Sequence, residues 1–353
     1  MDGLVKELAI NHSLDAESLY RLIDSCNDHT LTLLQQLAVE TSVAQWGKGI
    51  FVRGLIEISS HCRNNCLYCG LRRDNTHLSR YRLSNDEILQ CCKHGYAMGL
   101  RTFVLQSGED PFLSDDNLCE LVSLIRSSYP DTAITLSLGE RSHESYQRLF
   151  EAGASRYLLR HEAAQSSLYA QIHPKEMSLN NRINCIKSLL NIGYQTGMGM
   201  MIGVPGQTTQ SLVEDLMLMK QLKPHMIGIG PFITHHDTPL KEHNNGSLKL
   251  TLTILAITRL MFPDALIPAT TALSTLSPDG HLQGILSGTN VIMPNLSPQN
   301  VRALYNIYDN KAYKASQSAD ELQLLDNELH SIGYHINYSR GDHKNFSCND
   351  NNL

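Results

Sequence analysis

Apolar residues recur at helical spacing along residues 1–47: Leu4, Leu8 and Ile10, then Leu19, Leu22 and Ile23, then Leu31, Leu34, Leu37 and Ala38. Such spacing puts an apolar stripe on each helix, so this segment is predicted to cap the rest of the chain. From Phe51 the pattern changes to short, apolar, β-rich runs, each followed by a longer helical stretch. The predicted strands are Gly54–Ser59, Arg101–Gln106, Ala133–Leu138, Arg156–Arg160, Gln195–Ile202, Met226–Ile229, Leu266–Thr270 and Asn290–Met293. Eight strand–helix units predict an α/β fold, a (β/α)8 TIM-type barrel. An open doubly wound sheet uses the same alternation and is the alternative; the count favours closure.

Local signals mark the helices between these strands. Ser84 stands three residues before Glu87, a capping-box signature, and Asp86 adds negative charge to the first turn. Ser211 and Glu214 have the same spacing. Gly153 and Gly193 are placed to end helices before the next strand. No repeat or clear linker appears before Asp309. One structural domain is expected, in three parts: the helical cap over 1–47, the barrel over 48–308 and an extension over 309–353. The extension is read as a helix at Ala319–Ile332 and a loose polar tail from Tyr338.

Composition narrows the class. The 353 residues suffice for one large barrel or two average domains. Nine cysteines, an odd number without disulfide-like rhythm, suit a reducing compartment. The N-terminus shows no positive-then-apolar signal pattern, and no apolar run is long enough to span a bilayer, so a cytoplasmic protein without a membrane partner is expected. A net charge of −6 without a basic block argues against nucleic acid as a partner.

Candidate chemistry concentrates in Cys62-Arg63-Asn64-Asn65-Cys66-Leu67-Tyr68-Cys69. A cubane [4Fe-4S] cluster normally takes four thiolates, and this loop offers three, which would leave one iron open. The alternative is a structural zinc loop with His61 or His77 as fourth ligand; a zinc ribbon more often carries two C-x2-C knuckles, and only Cys66 with Cys69 makes one here.

In a barrel, functional residues gather where strands end. The cysteines come directly after the first predicted strand. Gln106-Ser107-Gly108-Glu109-Asp110 ends the second, Thr135, Ser137 and Glu140 mark the third, and Arg160-His161-Glu162 closes the fourth. Met201–Pro205, Thr270-Thr271 and Met293 end the fifth, seventh and eighth. Parallel strands buried on both faces should be apolar, so Arg160 and Glu162 point to a polar cavity. Gly197–Gly203 superficially suggests a dinucleotide loop, but its third glycine is one residue late. His235-His236-Asp237 suggests a metal site; as loop neighbours they are expected to point different ways.

The C-x3-C-x2-C loop with an aromatic before its last cysteine resembles that of radical S-adenosylmethionine (SAM) enzymes. Further motifs, Cys69-Gly70-Leu71-Arg72-Arg73, Val104–Pro111, Arg156–Glu162, Gly203–Thr208, Gly228–Ile233 and Asn290–Asn295, resemble the HydE family, the radical SAM maturases of [FeFe]-hydrogenases. The resemblance covers roughly Val52 to Tyr308. It implies that Cys62, Cys66 and Cys69 hold a [4Fe-4S] cluster and that SAM chelates the open iron. Tyr68 would lie against adenine. Ser107, Gly108 and Glu109 would receive the SAM ammonium, with Ser107 in place of the superfamily's usual glycine. Glu162 and Arg182 would hold the ribose and the carboxylate, and Met201 would lie beside the cofactor. Gln106, Thr135, Met226 and Met293 would line a substrate cavity, with Arg160, Thr270, Thr271 and Tyr305 nearest the chemistry.

The resemblance further implies a substrate and partners: an iron carbonyl-cyanide-cysteine synthon supplied by HydG, the scaffold maturase HydF, and reduced ferredoxin or flavodoxin as electron donor. Two rival readings are a lysine mutase like methylornithine synthase and a non-catalytic iron-sulfur carrier. Many HydE-like chains carry a second, C-terminal cysteine trio. Here Cys348 is the one cysteine after Cys185, so a single cluster is expected.

Overall fold

The strand-forming runs of this chain are apolar on both faces, a pattern that stays out of water only inside a helix-covered parallel sheet. The computed structural model describes residues 1–311 and 319–346; Cys348 lies outside them. The strands are β1 (Gly49–Val52), β2 (Gly54–Ser59), β3 (Thr102–Ser107), β4 (Ala133–Ser137), β5 (Arg156–Leu158), β6 (Gln195–Ile202), β7 (Met226–Pro231), β8 (Val291–Ile292) and β9 (His335–Asn337). β2 to β7 pair in sequence order, all parallel. Closure runs through bridges Met226↔Leu266 and Pro268↔Val291, the β1–β8 pairing, and Leu55↔Asn295. The sheet is therefore a barrel, and the open alternative is excluded.

Two strand predictions need revision. Leu266–Thr270 forms isolated bridges at Leu266 and Pro268 and no ladder, because proline has no N–H to donate. β9, in the predicted extension, has no counterpart among the predicted strands; it pairs with β1 from Gly49↔His335 to Phe51↔Asn337. The predicted first strand thus continues a path whose lower part, β1, lies between β8 and β9.

The N-terminal helices Asp2–Asn11, Ala16–Asp24 and Asp28–Trp46 pack on the outer helices Thr209–Leu222 and Leu248–Met261. Every side chain from Thr251 to Met261 is buried between that cap and the barrel. Ile10 is exposed, outside the expected stripe. Ser84 and Glu87 form the predicted capping box. Ser211 does not begin its helix: Thr208 is the N-cap and Ser211 returns the reciprocal bond, so the helix starts at Thr209.

The segment expected as a loose tail from Tyr338 is packed across the barrel's N-terminal mouth as far as Phe346. Arg156, fully buried at the start of β5, donates to Arg340 O and Asp342 Oδ1, each at 2.8 Å. Gln195 Nε2 donates to the same carboxylate at 2.7 Å, and Thr102 Oγ1 donates to Arg340 O at 2.8 Å. Buried Arg53 reaches Gly341 O at 3.4 Å. The tail thus supplies acceptors to Arg53 and Arg156, which are buried at that end of the barrel.

Candidate active site

The loop after β2 has no regular structure and is fixed by its own side chains. Arg80 donates to four carbonyls, those of Ser60, Leu71, Arg72 and Asn75, between 2.6 and 3.3 Å. Asn75 Nδ2 donates to Gly70 O at 2.8 Å, and Gly70 N donates to Ile307 O at 2.9 Å. A Cβ on Gly70 would run into Asn306 O and the His235 ring; one on Gly108, at the end of β3, would run into His61 O and Cys62. Both glycines let backbone close on the cysteine loop from either side.

The three thiols feel one another within this loop. Burial pushes Cys66 up, with Cys69 and Cys62 adding to it, and burial with the nearby Cys62 pushes Cys69 up to about 12. The loop by itself thus opposes forming thiolates, and bound iron would supply the positive charge they need. A tetrahedral zinc ion would hold thiolates about 3.8 Å apart. Among the described residues, the compact set of metal-capable atoms, within 4.8 Å of one another, is His235, His236 and Asp309. Cys62, Cys66 and Cys69 are not in that compact set. In the His235 set, the two rings stack at 4.5 Å instead of diverging as expected. His235 Nδ1 accepts from Asp237 N at 3.0 Å and Nε2 meets the Asn306 amide at 3.0 Å; both nitrogens are engaged in packing that loop.

Arg160, His161 and Glu162 extend the line of β5; Arg160 and Glu162 turn toward Cys69, and His161 turns away to Asp215. Glu162 has φ +64°, a left-handed conformation for a non-glycine residue. Its N donates to Gly199 O at 3.0 Å, and Ala163 N donates back to His161 O at 2.8 Å, closing a γ-turn on Glu162. Such a turn costs about 1–3 kcal/mol and persists only where its surroundings enforce it. The Glu162 carboxylate lies 2.8 Å from Arg160 Nη2. Buried Arg182 spans to Glu140 Oε1 at 2.6 Å and to Arg160 O at 2.9 Å. Glu109 Oε1 accepts from Glu140 N at 3.0 Å. The sequence marks Glu140 only as a strand-end residue; its role as the Arg182 partner needs the fold to be seen.

Tyr68 stands edge-on to His173, which stacks on Tyr169 at 3.9 Å. Burial, then the Arg182 charge, push His173 down to about 3. The imidazole is therefore neutral, and its Nε2 accepts a hydrogen bond from the Tyr68 hydroxyl at 3.3 Å. No sequence motif marks His173.

A cavity of about 320 Å³ joins these walls to the barrel interior. Its lining brings together Tyr68, Cys69, Ser107, Glu162, Arg182 and Met201 with Gln106, Arg160, Thr270, Thr271, Met293 and Tyr305. Gly108 and Glu109 lie beside it at the cysteine loop. Thr135 is buried just outside the lining, and Met226 is placed lower, packed with Phe51, Leu266 and Val291 and touching Arg53 Nη1 at 3.2 Å. Within the lining, Thr270 Oγ1 and Arg160 Nε are buried without hydrogen-bond partners among the described residues, so a polar guest would find them unpaired. The lining also includes two residues that no sequence pattern flags, Glu57 and Lys311, which form a buried ion pair.

Residues 56–219 match the Radical SAM superfamily. The chain is 46% identical over 278 residues to the [FeFe] hydrogenase maturase subunit HydE of Thermotoga maritima, covering 79% of each sequence. It is 28% identical to 3-methylornithine synthase of Methanosarcina acetivorans, over 83% of this chain and 82% of that one. In three dimensions it resembles the crystal structure of methylornithine synthase with TM-score 0.83 and 25% identity, covering 95% of this chain and 97% of that one. HydG from Carboxydothermus hydrogenoformans shares the fold at TM-score 0.77 and 20% identity, over 94% of this chain and 78% of that one. Among the described residues no helix is long and apolar enough to cross a membrane.

Proposed function

The chain belongs to the radical SAM superfamily and, within it, to the HydE maturase family; from that premise we propose that it cleaves SAM reductively and acts on an iron carbonyl-cyanide-cysteine synthon in [FeFe]-hydrogenase assembly. The observation that carries this reading is one cavity bounded at its mouth by the cysteine loop and lined inside by Arg160, Thr270, Thr271 and Tyr305.

Cys62, Cys66 and Cys69 would hold a [4Fe-4S] cluster, which when bound supplies the electron that breaks the SAM sulfonium and yields the adenosyl radical. The chain's own residues bind and orient. Glu162 accepts from the ribose hydroxyls, and Arg182 offers its planar fork to the SAM carboxylate. Tyr68, held by neutral His173, forms an apolar face for adenine. Arg160, whose Nε has no hydrogen-bond partner among the described residues, would donate to an anionic organometallic guest, while Lys311 stays paired with Glu57. HydG as source of that guest, HydF as acceptor of the product and a reduced ferredoxin or flavodoxin as donor complete the proposal.

Replacing Arg182 with alanine is expected to weaken SAM binding by about 1.5–3 kcal/mol, the worth of hydrogen bonds to a charged group, with the cluster retained; equilibrium dialysis of the reconstituted protein measures this. Full anaerobic reconstitution is expected to give about four irons per chain, and Cys348→Ser to leave that number unchanged. A content near eight that falls on the Cys348 change would reveal a second cluster. The activity itself is tested by anaerobic incubation with the synthon and SAM, with infrared spectroscopy of the carbonyl and cyanide bands as the readout. Bands that shift only when SAM and reductant are present support the proposal; unchanged bands in a SAM-cleaving protein refute the substrate.

A further inference from the structure

The Glu162 turn has an unusual support. His161 and Asp215 are both completely buried, and His161 Nε2 lies 3.0 Å from Asp215 Oδ1. The same oxygen accepts from Ala164 N at 2.6 Å. One carboxylate oxygen, carried on the helix Thr209–Leu222, thus holds the residue before Glu162 and the second residue after it. Between those two points the Ala163 N to His161 O bond closes the turn.

We propose that His161 and Asp215 are positioning residues that clamp Glu162 in its left-handed conformation and so aim its carboxylate at the ribose hydroxyls of SAM. The inference rests on the reading of Glu162 as the ribose ligand. Three observations favour a positioning role over plain stabilisation. A buried hydrogen-bonded pair usually gains little over apolar residues of the same shape. This one is imperfectly satisfied, since His161 Nδ1 and Asp215 Oδ2 have no hydrogen-bond partner among the described residues. And the four non-glycine residues with positive φ among those described include His12 and Lys223, both helix C-caps, whereas Glu162 faces the cavity. A strained residue at the site, bracketed by a costly buried pair, is explained if the pair enforces the strain.

The test uses reconstituted holoprotein and SAM affinity as its readout, with iron content and visible absorbance confirming the cluster. Asp215→Leu removes both bonds and is expected to weaken SAM binding about tenfold with the cluster intact. Asp215→Asn keeps an oxygen that accepts both bonds and should bind SAM within about threefold of the unaltered protein. The decisive comparison is a double-mutant cycle. If Asp215 acts through Glu162, Asp215→Leu combined with Glu162→Gln should bind SAM no more weakly than Glu162→Gln alone. Losses that multiply would overturn the clamp, as would unaltered binding by Asp215→Leu while Glu162→Gln binds poorly. Normal binding by Glu162→Gln would instead overturn the ribose reading, and the clamp with it. Should Asp215→Leu not fold, His161→Leu, which keeps the Ala164 bond, carries the same cycle with a smaller expected loss.

Discussion

Alanine in place of Cys66 is expected to abolish the iron-sulfur absorbance of the reconstituted protein and to reduce SAM cleavage to background. Two thiolates cannot retain a cubane whose fourth iron must already stay open, and among the described residues no other cysteine is at hand. Cys91, Cys92 and Cys185 are buried within the helices Asn85–Ala97 and Leu179–Ile192, and Cys26 and Cys119 lie in or beside other helices outside the loop. The loop is held rigidly by the four Arg80 bonds, so it cannot rearrange to present another donor. The same loss is expected for Cys62 and Cys69. Persistence of both absorbance and cleavage in Cys66→Ala would remove the basis of the assignment.

The second large effect is on stability. Asp342→Leu is expected to destabilise the fold by about 3 kcal/mol, because it strips the countercharge from an arginine with no exposed side-chain surface. Burial alone would raise the Asp342 carboxyl, but the Arg156 charge and hydrogen bond overcome it and hold it below its ordinary value. A depressed carboxylate contributes stability above its unfolded pKa and loses it as pH falls through the folded value. The gap between Asp342→Leu and the unaltered protein should therefore be full at pH 7 and narrowed well below about pH 4, where the folded carboxylate takes up its proton. Denaturant unfolding at the two pH values measures it. An equal gap at both would show that Asp342 acts by packing and not by charge.

The Arg156–Asp342 contact also marks the limit of what the sequence reveals. Strand alternation made the barrel legible, because burial of a parallel sheet imposes apolar runs at every strand. The cysteine spacing marked the loop proposed to hold the cluster, because a small group must be wrapped by nearby residues. Polar partners far apart in sequence left no such trace. Nothing in Tyr338–Phe346 announces that Asp342 will lie beside Arg156, or that Lys311 will meet Glu57 across the barrel. The Glu162 turn was hidden for the same reason, since its backbone is dictated by Asp215 on a separate helix. Leu266–Thr270 failed as a ladder for a local reason that was readable, the proline at 268. Met226 had the periodicity of a strand, but whether it sits at the cavity or below it depends on depth along β7, which periodicity alone does not supply.

The most direct test of the account is 5′-deoxyadenosine formation by the anaerobically reconstituted, reduced protein, measured with SAM alone, with the iron synthon added and with lysine added. The account predicts slow release with SAM alone, a clear rise on adding the synthon and none on adding lysine. Absence of 5′-deoxyadenosine from a protein carrying its full cluster, or a rise driven by lysine and not by the synthon, would contradict it.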